Sequence, residues 1–175
     1  AVPPADAIKL FNGRDLSKWT TPDGGKPEWK VEDGVIHVVP RTGDIVLTES
    51  LTDFYLHIEF RCPDMPEATG QQKGNSGIFL HGLYEVQVLD SYGINIPGTG
   101  DCGAFYEQFA PLVNACKPPM TWQTYDITFR APRLADSGDV VEKPRATIFL
   151  NGSIIQNNIQ LLGPTGSASK IAVVS

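Results

Sequence analysis

Phe54-Tyr55-Leu56-His57-Ile58-Glu59-Phe60-Arg61-Cys62 carries apolar side chains at its even positions and polar or aromatic ones at its odd positions. Successive side chains of a strand point to opposite faces, so this stretch reads as a half-buried β-strand. One face packs on a core and the other meets solvent or a ligand. Gln123 to Arg130 repeats the pattern, with Tyr125, Ile127 and Phe129 inward and Thr124, Asp126, Thr128 and Arg130 outward. Further outward, Val35 to Val39, Asp44 to Thr48, Ser76 to Leu89 and Ala146 to Leu161 also read as β. Asp33-Gly34, Thr42-Gly43, Gly74-Asn75 and Asn151-Gly152 separate them. Asn-Gly supplies the two positive φ angles of a type I′ hairpin, which would pair Ile148 with Ile155 on one face. No segment holds a helical period over three turns; Ala5 to Phe11 makes at most one or two turns. The expectation is an all-β fold, a two-sheet antiparallel sandwich. Pro63 to Gly74, Ser91 to Thr121 and Ala131 to Pro144 remain as loops. The middle one is long enough to fold over a sheet or carry function.

Composition sets outer limits. At 175 residues the chain suits one hydrophobic core. Its 17 Gly and 14 Pro favour short elements joined by turns. A net charge of −6 lacks the basic footprint of a nucleic-acid or anionic-membrane surface. No run of apolar residues is long enough to span a membrane as a helix. The opening Ala1-Val2-Pro3-Pro4 reads as the scar of a removed signal peptide or as a boundary. A removed signal would place the protein in the periplasm or outside the cell. The three cysteines, Cys62, Cys102 and Cys116, show no CxxC spacing, which leaves zinc and thioredoxin readings little support. Either Cys102 and Cys116 pair across the loop they bracket, or all three stay reduced with Cys62 a small core residue.

Chemistry concentrates in Ser76 to Asp90. With Ile78, Leu80, Val86 and Val88 facing the core, Leu80 opposes Val86 and Ile78 opposes Val88. This register leaves Gly82-Leu83-Tyr84 as the loop. It sets His81 opposite Glu85 and Phe79 opposite Gln87 on the other face, with Cβ atoms about 4.5–5.5 Å apart. A histidine facing a carboxylate beside an amide makes an acid/base or metal-ligand cluster. Asp90 joins it only if the consecutive apolar pair Val88-Leu89 forms a β-bulge. Without one, Asp90 ends the strand. The bland reading is an ordinary polar sheet face, on which a His–Glu pair contributes little.

At these residues the sequence resembles the bacterial 3-keto-disaccharide hydrolase family. The matching stretches include Leu10-Phe11-Asn12-Gly13-Arg14-Asp15-Leu16, Trp29-Lys30-Val31-Glu32-Asp33-Gly34 and His57-Ile58-Glu59-Phe60-Arg61. The first stretch runs on through Trp19; Gly74-Asn75-Ser76-Gly77-Ile78-Phe79-Leu80, Tyr84-Glu85-Val86-Gln87-Val88-Leu89-Asp90-Ser91, Ala110-Pro111 and Trp122-Gln123-Thr124-Tyr125-Asp126-Ile127 follow, up to Gly163-Pro164-Thr165. The resemblance implies a concanavalin A-like jelly-roll sandwich over residues 10–175, preceded by an extension of residues 1–9. It also implies cleavage of 3-keto-glycosides by removal of the C2 proton and β-elimination, followed by hydration. His81 and Glu85 become the acid/base candidates, with Asp90 beside them. Asn75, Gln87 and Arg61 would bind hydroxyls or the enolate oxygen, Glu59 would orient a neighbour, and Tyr106 and Trp122 would stack on sugar rings. A divalent metal held by His81 and carboxylates could replace the hydrogen-bond donors; nothing requires it. Members of the family continue past the Gly-Pro-Thr-Gly stretch into further strands, whereas here Gly163-Pro164-Thr165-Gly166 is followed only by Ser167 to Ser175. Ile171 to Val174 would form one short strand, and a missing strand would leave an edge that invites a homo-oligomer.

Within that wider fold, Glu85-Val86-Gln87-Val88-Leu89-Asp90 is similar to the E-x-D-x-x-E strand of retaining β-glucanases. The central Asp is replaced by Gln87 and the final Glu by the shorter Asp90. Three functions therefore compete: an enzyme acting on 3-keto-glycosides, a non-catalytic carbohydrate-binding module, and an ordinary retaining glycosidase.

Overall fold

The computed structural model describes residues 3–166. The strand expected at Ile171 to Val174 lies outside the described residues. The chain forms two compact units, Ala1–Ser50 and Leu51–Ser175. Among the described residues there is no α-helix, only one 3-10 turn at Gly70–Gln72, and no helix is long and apolar enough to cross a membrane.

The first unit holds four short strands: β1 (Trp19–Thr20), β2 (Lys30–Glu32), β3 (Val35–His37) and β4 (Val46–Leu47). β1 pairs antiparallel with β4, and β2 with β3. Asp33 and Gly34 turn the β2–β3 hairpin with φ of 50° and 75°, the left-handed pair that an Asp-Gly sequence accommodates. The indoles of Trp19 and Trp29 donate to the Leu10 and Gly43 carbonyls, each at 3.0 Å. Both are therefore structural ring anchors in turn-rich sequence.

The second unit carries β5 (Phe54–Phe60), β6 (Asn75–Leu80), β7 (Tyr84–Leu89), β8 (Gln123–Arg130), β9 (Arg133–Leu134), β10 (Val140–Glu142), β11 (Arg145–Leu150) and β12 (Ser153–Gln160). An antiparallel sheet runs β12-β11-β8-β5, and β6-β7 form a second ladder. The expected faces hold. Tyr125, Ile127 and Phe129 are buried on β8, and Phe54, Leu56, Ile58 and Phe60 pack beside them from β5. Leu80, Tyr84, Val86 and Val88 of the β6–β7 pair belong to the same hydrophobic cluster.

The Asn151-Gly152 hairpin and the stretch Ala131 to Pro144 differ from the sequence expectation. The Asn151-Gly152 turn forms, with φ of 52° and 82°, and joins Leu150 to Ser153. Ile148, however, opposes Gln156, because the register shifts at a bulge beside Ile155. The shift buries Ile155 and Gln156 together. The Gln156 amide then donates to the carbonyls of Gly103 and Ala110 at 3.1 and 3.2 Å. The second difference is the stretch Ala131 to Pro144, which is a small β9–β10 hairpin instead of a loop.

The long segment Ser91 to Thr121 does fold onto a sheet. Residues 103–106 run antiparallel beside β7: Gly103 N donates to Gln87 O, Gln87 N to Ala104 O and Tyr106 N to Glu85 O, at 3.0 to 3.1 Å. Val86 bridges Phe105, and both point into the core. Ala104 and Tyr106 therefore share the outer face of β7 with Gln87 and Glu85. All three thiols are free; Cys62 and Cys102 are buried and Cys116 is half-buried.

Candidate active site

The β6–β7 register differs from the expectation by two residues. Ile78 opposes Val86, Phe79 opposes Glu85, Leu80 opposes Tyr84 and Gly77 opposes Gln87. A two-residue shift keeps every side chain on its face, so alternation alone cannot choose between the registers. The turn and the core choose. His81 and Gly82 take φ of 53° and 65°, a left-handed pair closed by Leu83 N donating to Leu80 O at 3.1 Å. Tyr84 is thereby freed to join the strand and is buried against Phe129, with ring centroids 5.9 Å apart.

His81 consequently leaves the expected cluster. It sits in the turn, its Nε2 lies 3.0 Å from the Thr52 carbonyl, and its ring stands edge-on to Phe129 at 4.8 Å. Asp90 leaves as well. No bulge interrupts β7; the ladder continues regularly, with Asp90 N donating to Gly74 O at 3.0 Å. The consecutive apolar pair needs no bulge because β7 is buried on both faces here, with Val88 on one side and Leu89 on the other. Asp90 therefore lies on the face opposite Glu85, where its carboxylate accepts from Lys73 Nζ at 3.1 Å and Tyr92 N at 3.3 Å. Among the described residues no group of three or more His, Cys, Asp or Glu side chains is arranged to hold a metal, so His81, Glu85 and Asp90 do not form such a set.

Glu59, Arg61 and Trp122 also lie elsewhere. Glu59 opposes Thr124 on the face of β5 and β8 turned away from the core cluster, whereas Glu85 and Gln87 project from the side of β7 opposite Val86 and Val88. Arg61 stacks its guanidinium over the Trp122 ring at 5.1 Å, a cation–π contact. His57 and Tyr55 share that face, both bonded to Asp126 Oδ1 at 2.6 Å. Partial burial raises the Asp126 pKa, but the hydrogen bonds from Tyr55 and His57 outweigh it and hold the carboxyl below its ordinary value.

What remains together is Asn75, Glu85, Gln87 and Tyr106, joined by residues the sequence reading passed over. The Glu85 side chain lies across Gly77. A Cβ at that position would stand 2.4 Å from Oε1 and 2.8 Å from Cγ, so the glycine makes the room in which the carboxylate rests. Gln87 is 1% exposed; its Nε2 donates to Gln71 Oε1 at 3.0 Å and to the Gly100 carbonyl at 3.3 Å. Gln71 Nε2 donates to the same carbonyl at 2.7 Å, and Asn75 Nδ2 donates to Gln71 O and Oε1 at 2.9 and 3.0 Å. A Cβ on Gly100 would lie 3.9 Å from the Tyr106 ring and 3.1 Å from Gln71 Nε2, which seats the tyrosine beside this network. Gln71 sits in the 3-10 turn of an unpatterned polar loop, where no spacing rule points to it. Gly77 had a signal, a glycine inside a strand pattern.

Chemically, among the described residues the face brings the Glu85 carboxylate, the Asn75 and Gln87 amides and the Tyr106 phenol together on and beside the β6–β7 pair. Residues 6–173 match the family model described as the 3-keto-alpha-glucoside-1,2-lyase-like domain. No curated protein matches the chain. A Parabacteroides distasonis ATCC 8503 protein, described as a candidate glycosyl hydrolase and solved at 2.13 Å, is 44% identical with a TM-score of 0.87, over 93% of this chain and 69% of that one. A second structure from the same organism, at 1.70 Å and also described as a candidate glycosyl hydrolase, is 20% identical with a TM-score of 0.56, over 86% of this chain and 70% of that one; it bears on the fold alone. By the match over nearly its whole length, the chain belongs to the 3-keto-alpha-glucoside-1,2-lyase-like domain family.

Proposed function

We propose that this protein cleaves the glycosidic bond of 3-keto-glucosides by elimination across C1 and C2, on the outer face of β7. The observation that carries the reading is the Glu85 carboxylate seated over Gly77, with Gln87, Asn75 and Tyr106 on the same side. A ketone at C3 acidifies the C2 proton, because the resulting carbanion is delocalised as an enolate. Glu85 takes that proton, and the C2–H electron pair moves onto the C3 oxygen. Tyr106 supplies an O–H donor for the enolate. As the ketone re-forms, a C1=C2 double bond forms and the C1–O bond breaks. The departing oxygen receives the proton from Glu85, and water then adds to the unsaturated product.

Elimination is favoured over a two-carboxylate retaining mechanism because the second candidate, Asp90, faces away and is paired with Lys73. Retention needs two carboxyl groups about 5–5.5 Å apart on one face. We propose for the second unit the two-sheet jelly-roll sandwich of concanavalin A-like proteins. The single hydrophobic cluster shared by the β12-β11-β8-β5 sheet and the β6–β7 pair supports it.

The test is to incubate the protein with a 3-keto-disaccharide and with its unoxidised parent, and to follow released sugar. Cleavage of the keto form alone is expected, with exchange of the C2 proton in deuterated solvent. Glu85→Gln should lower turnover by about 100- to 10,000-fold. Cleavage of the parent, or full turnover in Glu85→Gln, would refute the reading.

A further inference from the structure

The amides at the site have a fixed polarity, and that polarity restricts what they can bind. Gln87 Nε2 spends both hydrogens on Gln71 Oε1 and the Gly100 carbonyl. Asn75 Nδ2 spends both on Gln71 O and Oε1. Turning either amide over would set carbonyl against carbonyl, so the orientation follows from the network itself. Neither amide has a donor left for a ligand. What they keep is acceptors: Asn75 Oδ1 and Gln87 Oε1, on the same face as the Glu85 carboxylate. Gln87 Oε1 is moreover the one buried side-chain polar atom among the described residues with no hydrogen-bond partner. An unpartnered buried acceptor is costly and, at a site, calls for a donor from outside.

We infer that Gln87 and Asn75 are specificity residues that accept hydrogen bonds from hydroxyl groups of the sugar, and that Gln71 is the positioning residue that fixes their polarity. This inference rests on the proposed function. It adds that these amides do not hold the ketone or enolate oxygen, which needs a donor. The keto-sugar is therefore bound with a ring hydroxyl toward Gln87 and its C3 oxygen toward Tyr106. Gln71 carries the constraint because its Oε1 accepts from both amides while its Nε2 is anchored on Gly100. Removing it would let Gln87 rotate and present nitrogen in place of oxygen.

The experiment is a cycle between protein and substrate. kcat/KM is measured for the wild type, Gln87→Met and Gln71→Met on a 3-keto-α-glucoside and on its 2-, 4- and 6-deoxy analogues. Methionine keeps the length of glutamine and removes the amide. Gln87→Met should lose about tenfold on the parent compound, the worth of one hydrogen bond. It should lose nothing further on the one analogue that lacks the hydroxyl meeting Gln87. Gln71→Met should show the same selective pattern, mainly in KM. An unchanged thermal midpoint for each variant separates this from misfolding. A penalty that is equal on every analogue, or one that follows added Mg²⁺ or Ca²⁺ instead of a hydroxyl, overturns the inference while leaving the reaction intact. A wild type that cleaves no keto-glucoside overturns the proposed function, and the inference with it.

Discussion

At Gly77 the absence of a side chain decides where the Glu85 carboxylate rests. The clash that a Cβ would create involves Glu85 Cγ and Cδ as well as Oε1, at 2.8, 2.9 and 2.4 Å, so a small swing of the carboxylate does not relieve it. Gly77→Ala should therefore force Glu85 into another rotamer and lower kcat/KM by about 100-fold, the scale on which a displaced catalytic group is felt. The fold should survive, since Gly77 is half-buried and its main chain stays paired with Gln87. Assay of the variant beside its circular dichroism spectrum checks both halves of the expectation. Glu85 was legible in the sequence as a polar residue on the non-core face of an apolar strand. Gln71 was not, because its position relative to Gln87 depends on a loop closing over the sheet.

At the scale of elements, Asp53 ties the start of β5 to the end of β8 and to β9. It accepts from Ala131 N at 2.8 Å and from the Arg133 guanidinium. The Arg133 hydrogen bond, followed by that from Ala131, lowers its pKa to about 2. A carboxyl whose folded pKa lies below its unfolded value favours the folded state above the unfolded pKa. That contribution is lost as pH falls from about 4 to about 2. Acid titration of stability should thus be shallower in this window for Asp53→Asn than for the wild type, as measured by urea midpoints at stepped pH. The β6–β7 pair gives the complementary lesson. Its faces were readable from alternation, but its register was not, since a shift by two preserves every face and only the His81-Gly82 turn and the burial of Tyr84 distinguish the two pairings.

For the molecule as a whole, the three cysteines report on the integrity of the core. Cys62 and Cys102 lie in the main hydrophobic cluster and Cys116 packs against it. Burial pushes the Cys62 thiol up to about 12. A hydrogen bond with the Cys102 thiol, then burial, pushes Cys116 up as well. Thiolate is the reactive form, and Cys102, whose hydrogen bond with Cys116 lowers its pKa, is instead shut off from reagent by burial; at pH about 8 a thiol-specific reagent should therefore label the native protein at least about 100-fold more slowly than free cysteine. Labelling of all three should follow unfolding in urea. Fast labelling of the native state would contradict the packing of this core.

Strand class, the inward faces of β5 and β8, the Asn151-Gly152 turn and the outer face that carries Glu85 and Gln87 are all legible in the order of residues along the chain. These follow from period-two alternation and from backbone angles that few residues adopt, both local properties. Tertiary structure decided which polar residues meet. It sent His81 into a turn, Asp90 to the opposite face of β7 and Glu59 to the outer face of another sheet, and it stacked Arg61 on Trp122. It also brought Gln71 and Gly100 onto Gln87 from loops. Register and loop closure are set by how aromatic side chains fill the shared core and by which buried amides find partners, and neither is a function of neighbouring residues alone.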